Sequence, residues 1–141
     1  MITIERISTE GTAHRVSIGT HEITVDMSPP TGGDEGPDPH DLYDAALGAC
    51  KALTMLWVAK RENIPVEGIK VGVSRDASEE RSGLYRLTAR LAIDGPLSDE
   101  QHDRLIAASG KCPVQKLMTS VKTEVETIVV RLPEGRSCDL V

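Results

Sequence analysis

A chain of 141 residues is long enough for one domain with a proper core. With no Phe, one Trp and two Tyr, that core has to be aliphatic. The formal net charge of −6 argues against nucleic acid or an anionic membrane surface as the main partner.

In chain order, Ile2-Thr3-Ile4, Val16-Ser17-Ile18 and Ile23-Thr24-Val25 are short β-prone runs, and the turn-like Gly19-Thr20 separates the last two. Residues 2–27 therefore read as an antiparallel meander or hairpin. His14, Arg15 and His21 fall on these strands, where a solvated side chain is the ordinary reading. Residues 28–39 (Ser-Pro-Pro-Thr-Gly-Gly-Asp-Glu-Gly-Pro-Asp-Pro) form a loop by every breaker rule. It is glycine-rich but acidic and lacks Gly-Lys-Ser/Thr, which excludes a phosphate cradle. It reads as a connector or as a lid over whatever Cys50 faces, and its place before the next helix favours the lid.

Residues 38–61 organise the rest. Asp38 is a good N-cap and Pro39 sits at the first helical position, where proline is tolerated. Leu42, Ala45, Ala46, Leu47, Ala49, Cys50, Leu53, Leu56, Trp57 and Val58 leave hardly any polar face, the pattern of a buried helix. The centre, Ala45 to Cys50, is small in side-chain volume, so a helix, a ligand or both must come close to it. Residues 66–75 and 84–94 alternate, with Ile69, Val71 and Val73 on one face of the first and Leu87, Ala89, Leu91 and Ile93 on one face of the second. They predict a long hairpin with one wet face, turning through the polar stretch 76–83. Ser98-Asp99-Glu100-Gln101 is a capping box that opens a helix closed by Gly110. Cys112-Pro113 starts a short helix with Val114, Leu117, Met118 and Val121 on its apolar side. Residues 123–132 predict a last strand and 133–141 a loose tail. With no repeat and no linker, 1–141 reads as one α+β domain of antiparallel strands, one long buried helix and a smaller helical pair.

No apolar run reaches the length of a membrane span and Met1–Arg6 carries no signal-peptide pattern, so a cytoplasmic home is expected. Cys50, Cys112 and Cys138 are odd in number and far apart, which gives neither a disulfide framework nor a zinc-type spacing. In a reducing compartment such cysteines are buried filler or reactive thiols. No cofactor or metal site is expected. Taken alone, Cys50 reads as a small core residue of an Ala-rich helix. Cys112 stands at a helix N-cap beside Lys111, where free amides and the helix dipole favour a thiolate. Cys138 in the tail reads as an idle thiol. His40, Tyr43, Leu47, Cys50, Thr54 and Trp57 share one helical stripe, yet His40 and Cys50 stand about 15 Å apart along it. The ordinary reading of His40 is a hydrogen bond to Asp44 one turn on. A functional His40 would need a second copy of the helix crossing the first, which the small residues 45–49 permit.

Gly32-Gly33, Gly36-Pro37-Asp38-Pro39, the run from Leu42 ending in Ala-Ala-Leu-Gly-Ala-Cys at Cys50, and Cys112-Pro113-Val114 together resemble the OsmC/Ohr family, and the strand–helix order matches over nearly the whole chain. The resemblance implies an intertwined α+β homodimer with paired central helices and two active sites at the subunit interface. It implies a thiol peroxidase of the oxidative-stress response. Cys50 would attack an organic or inorganic hydroperoxide to give a sulfenic acid. Cys112 would resolve it as a disulfide, and a dithiol reductant (a lipoyl group or thioredoxin) would reduce that disulfide. The two Cα atoms are then expected within about 7 Å, the reach of a disulfide. One departure matters. The peroxidase branch has a Glu after the Asn/Asp-Pro that opens the helix, pairing an Arg from the N-terminal strands. Here that position is His40, and Arg15 is the nearest candidate for the Arg. Asp41 or Asp44 could substitute for the Glu without having its position. The chain thus looks more like the broad OsmC-like branch, and the alternative to a peroxidase is a protein that binds a small apolar ligand at the dimer interface.

Overall fold

The computed structural model describes residues 1–131 and Gly135. Strands β1 (Ile2–Arg6), β2 (His14–Ile18) and β3 (His21–Val25) form the expected meander, with Ile4 opposite Val16 and Val16 opposite Ile23. Gly19, at φ 60°, supplies the left-handed turn between β2 and β3. The loop that follows is wound on Asp26. That buried carboxylate accepts hydrogen bonds from the Thr12 hydroxyl and from the N–H groups of Met27, Gly33 and Glu35. Gly32 and Gly36 lie so close to the backbone of Met27 and Thr24 that a Cβ on either would stand 2.1 or 2.2 Å from a carbonyl oxygen. The loop is a clamped connector, and none of its residues before Pro39 lines the cleft at Cys50 described below. Of the two readings, connector or lid, the structure supports the connector.

Helix α1 spans Pro39–Glu62, and its start is as anticipated: Asp38 accepts from the Asp41 N–H while the Asp41 carboxylate accepts from Asp38 N–H. It ends at Asn63, which takes the left-handed cap conformation at φ 53°. Strands β4 (Gly68–Asp76) and β5 (Arg86–Asp94) make the predicted hairpin, pairing Ile69 with Ile93, Val71 with Leu91 and Val73 with Ala89. A 3-10 turn at Glu80–Ser82 carries the chain between them. Helix α2 (Asp99–Ser109) has the Ser98/Gln101 capping box, and α3 (Pro113–Thr119) is capped by Cys112.

The core is aliphatic, as the composition requires. Met55, Val58 and Ala59 of α1, Ile64, and Leu105 and Ala108 of α2 pack together, backed by Val71, Leu91 and Ile93 from the hairpin. Met55 and Leu105 have no exposed surface, and burying such a side chain stabilises by about 1.5–3 kcal/mol. At Gly48 the helix comes against β4, and an added Cβ would stand 3.1 Å from the Val73 methyl.

Two expectations change. First, α1 is buried on one face only. Asp44, Leu47, Gly48, Lys51, Met55, Val58 and Ala59 are buried, whereas Leu53 and Trp57 are 65% and 60% exposed and Ala45, Ala46 and Ala49 stand open beside them. One hairpin and two short helices are too small to wrap a helix that is apolar on both sides. The helix is also long and apolar enough by composition to cross a membrane, contrary to the estimate from runs. Its two buried charges, Asp44 and Lys51, are bonded to this chain's own residues, which marks it as a core helix. Second, residues 123–131 form no strand. A strand needs a partner for its ladder, none among the described residues runs beside this segment, and Val125, Ile128 and Val129 are at least 78% exposed. Leu132 and most of the tail, Cys138 included, lie outside the described residues.

Candidate active site

Two cysteines separated by more than sixty residues meet where α1 passes the start of α3. Cys50 is half-buried on α1 and Cys112 is buried at the cap of α3; both are free thiols. The two side chains lie close enough for each to shift the other's acidity. The first turn of α3 then divides its amides between them: Val114 N–H points at Cys50 Sγ and Gln115 N–H at Cys112 Sγ, each at 3.5 Å. These contacts separate the two thiols in acidity. Burial pushes Cys50 up, but the contacts with Cys112 and Val114 and the charge of Lys51 outweigh it, leaving Cys50 below an ordinary thiol. Thr54 lies close as well, yet its single hydroxyl proton goes to the Cys50 carbonyl at 2.7 Å, which makes it a weak donor to the sulfur. Cys112 is raised, first by burial and then by its contact with Cys50. Thiolate character therefore falls on Cys50, the reverse of what the cap position of Cys112 alone suggests.

Cys50 opens onto a cleft of about 990 Å³. Ala46, Ala49, Leu53, Leu56, Trp57 and Pro113 give it apolar walls, and Lys60, Arg61, Arg104 and Lys111 a basic rim. Arg61 lies over the Trp57 ring, 4.4 Å from its centroid.

The arginine that carboxylates hold is elsewhere. Arg75, on β4, donates to Asp44 at 2.8 Å and to Asp41 at 2.7 Å, while the Tyr85 hydroxyl donates to the other Asp44 oxygen at 2.9 Å. Asp41 and then Asp44 hold the guanidinium further above its ordinary range, and the Arg75 guanidinium together with the Asp38 N-cap holds Asp41 below its own. The group lines a separate cleft of about 590 Å³ with Ala45, Gly48, Ala49 and Val73. Asp44 and Cys50 are six residues apart, which puts them about 120° apart round the helix and about 9 Å along it. Arg75 is thus not a neighbour of Cys50.

Residues 32–126 match the family model described as OsmC-like protein. The chain belongs to the OsmC-like family. Solved structures agree on the fold at low identity. An OsmC-like protein of Mycoplasma pneumoniae is 20% identical, with a TM-score of 0.69 over 86% of this chain and 87% of that one. The organic hydroperoxide resistance protein OhrB of Bacillus subtilis is 24% identical, with a TM-score of 0.57 over 85% and 90%. A hydroperoxide resistance protein of Legionella pneumophila, 21% identical, gives the same TM-score and coverage. No curated protein matches the sequence.

Within this OsmC-like chain the anticipated site residues divide. Cys50 and Cys112 come together. His40 does not bond Asp44, which Arg75 and Tyr85 already occupy. Its Nε2 pairs with Glu80 of the 3-10 turn at 2.9 Å, and that carboxylate raises its pKa. Arg15 is exposed on β2, opposite Glu5 and Thr24, and is not among the groups that touch Cys50. Lys51 was overlooked altogether. It occupies the core stripe between Leu47 and Met55, and a charge on such a stripe is itself the signal, because it demands a buried partner.

Proposed function

We propose that the chain is a thiol-dependent peroxidase that reduces hydroperoxides through Cys50 and Cys112. The Cys50 thiolate attacks the terminal oxygen of ROOH, the O–O bond breaks, and the departing alkoxide takes up a proton and leaves as ROH. Cys50 is left as a sulfenic acid. The Cys112 sulfur then attacks the Cys50 sulfur, its proton leaves with the hydroxyl as water, and a Cys50–Cys112 disulfide forms. An external dithiol, a lipoyl group or thioredoxin, reduces it and is itself oxidised. The observation that supports this reading is the pair of cysteine sulfurs set on successive amides of the first turn of α3, with Cys50 facing an apolar cleft. We place the activity in the cytoplasm and in a homodimer of one-domain chains. The open face of α1 and the unpaired apolar segment 125–130 both call for a partner. Arg15 keeps a role only where a second copy brings it to Cys50.

The test is peroxide consumption with cumene hydroperoxide and hydrogen peroxide, supplied separately with lipoamide and thioredoxin. Cys50→Ser should lower turnover on the order of a thousandfold or more, as loss of a nucleophile does. Cys112→Ser should leave one burst per chain and a trapped sulfenic acid. Mass spectrometry without turnover or a 50–112 disulfide would end the proposal. The second reading, binding of a small apolar ligand, is favoured by the distance of the Arg75 group from Cys50. It predicts retention of an apolar ligand in native mass spectrometry with both cysteines replaced.

A further inference from the structure

Lys51 is 8% exposed. Its Nζ donates to the Ser109 carbonyl at 3.1 Å, at the end of α2, and to the Gln115 side-chain oxygen in the first turn of α3. Among the described residues it has no carboxylate within ion-pair distance, although surface lysines and arginines of this chain do. A buried ammonium held only by neutral dipoles is expensive. The fold keeps it beside the one sulfur with thiolate character. The same ammonium grips Gln115, whose N–H contacts Cys112 Sγ and whose neighbour Val114 contacts Cys50 Sγ.

We infer that Lys51 is the positioning residue of the thiol pair: it pins the 112–115 turn against α1 and supplies the counter-charge of the Cys50 thiolate, in place of the arginine that Asp41 and Asp44 hold away. The inference deepens the peroxidase reading and rests on it for its purpose, but not for its test. Other charges face Cys50 across the cleft from α1, α2 and the turn before α3. Arg61 and Arg104 are bound to Glu62 at 2.9 and 2.6 Å, and Lys60 and Lys111 are exposed. Cys112 is the remaining titratable neighbour. Solvent screens the rim charges, so Lys51 is the cation whose field reaches the sulfur least weakened. Its pull on Cys50 acts in that direction.

The experiment is the pH dependence of Cys50 alkylation by iodoacetamide, read by peptide mass spectrometry in full-length Cys138→Ser protein. Lys51→Met should move the midpoint up by about one pH unit and slow alkylation at pH 7 about tenfold. Lys51→Arg should restore most of the rate. Should Lys51→Met not fold, Gln115→Ala carries the test, because it frees the turn at a half-buried site. It should slow Cys50 alkylation by about threefold and expose Cys112 to the reagent. A fall in melting temperature with the Cys50 profile unmoved, in Lys51→Met or in Gln115→Ala, would overturn the inference by making the role purely structural. No peroxide is needed for alkylation, so a moved profile without turnover would remove the peroxidase reading and leave Lys51 in place.

Discussion

On one side of α1, a sulfur is surrounded by a second thiol, a main-chain N–H and the only ammonium buried among the described residues. On the other, two carboxylates and a tyrosine hydroxyl close on an arginine. The sequence's resemblance to the OsmC/Ohr family leads one to expect thiol and clamped arginine together. This chain has both parts and keeps them on different flanks of the helix, with Ala49 lining both clefts. Acidity at Cys50 is therefore built locally, from the turn of α3 and from Lys51. The Arg75 group ties β4 to the first turns of α1 instead. A clamped arginine can thus be a structural fastener as well as an activator, and its position relative to the sulfur tells which.

The sharpest way to break the comparison is to remove what joins the two flanks. Leu53 stands at the centre of the open face of α1 and is 65% exposed. Leu53→Glu should convert the proposed dimer to monomer, because a charge buried at an apolar interface costs several kcal/mol. Sedimentation at micromolar concentration decides. A wild-type chain that is already a folded monomer would remove the dimer.

Next comes the fastener itself. Arg75→Leu leaves the mostly buried Asp44 carboxylate with only Tyr85. Breaking a buried pair costs about 3–5 kcal/mol, and since Arg75 is about a third exposed we expect about 2 kcal/mol. Urea denaturation measures that loss. Cys50 alkylation at pH 7 should stay within about twofold of wild type, since Arg75 lines the other cleft, is not among the groups that shift Cys50, and has its charge balanced by Asp41 and Asp44. A tenfold drop would place Arg75 in the thiol site after all.

These contrasts also mark what the sequence made legible. Local chemistry was readable: the Asp38 and Ser98 caps, the hairpin from its alternation, and the Cys112-Pro113 helix start. What depended on long-range pairing was not. Arg75 meets Asp44 and Asp41 across 31 and 34 residues of chain, and nothing in the alternating strand 66–75 signals that. Lys51 was lost inside an apolar pattern that reads as uninterrupted. The buried-helix and last-strand expectations failed for one reason. Apolar periodicity tells that a face must be covered, and it does not tell whether the cover belongs to the same chain.

The smallest effect belongs to His40, where the family pattern asks for a Glu. Had the arginine stood within reach of that side chain and of the thiol, His40→Glu would raise turnover. It stands at neither: Asp41 and Asp44 saturate Arg75, and position 40 faces Glu80 at 2.9 Å. His40→Glu should therefore give no gain in peroxide turnover and a slight loss of stability, because it opposes two carboxylates. His40→Ala should leave turnover unchanged at every pH. Its effect on stability has a sign fixed by linkage. The Glu80 partner raises the folded-state pKa of His40 above its ordinary 6.5, so the stabilisation is fully present below about pH 6.5 and is lost as pH rises through the folded value. Wild type and His40→Ala should accordingly differ slightly in melting temperature at pH 5.5 and converge by pH 9. A difference that grew with pH, or a His40→Ala chain without turnover, would make His40 part of the chemistry.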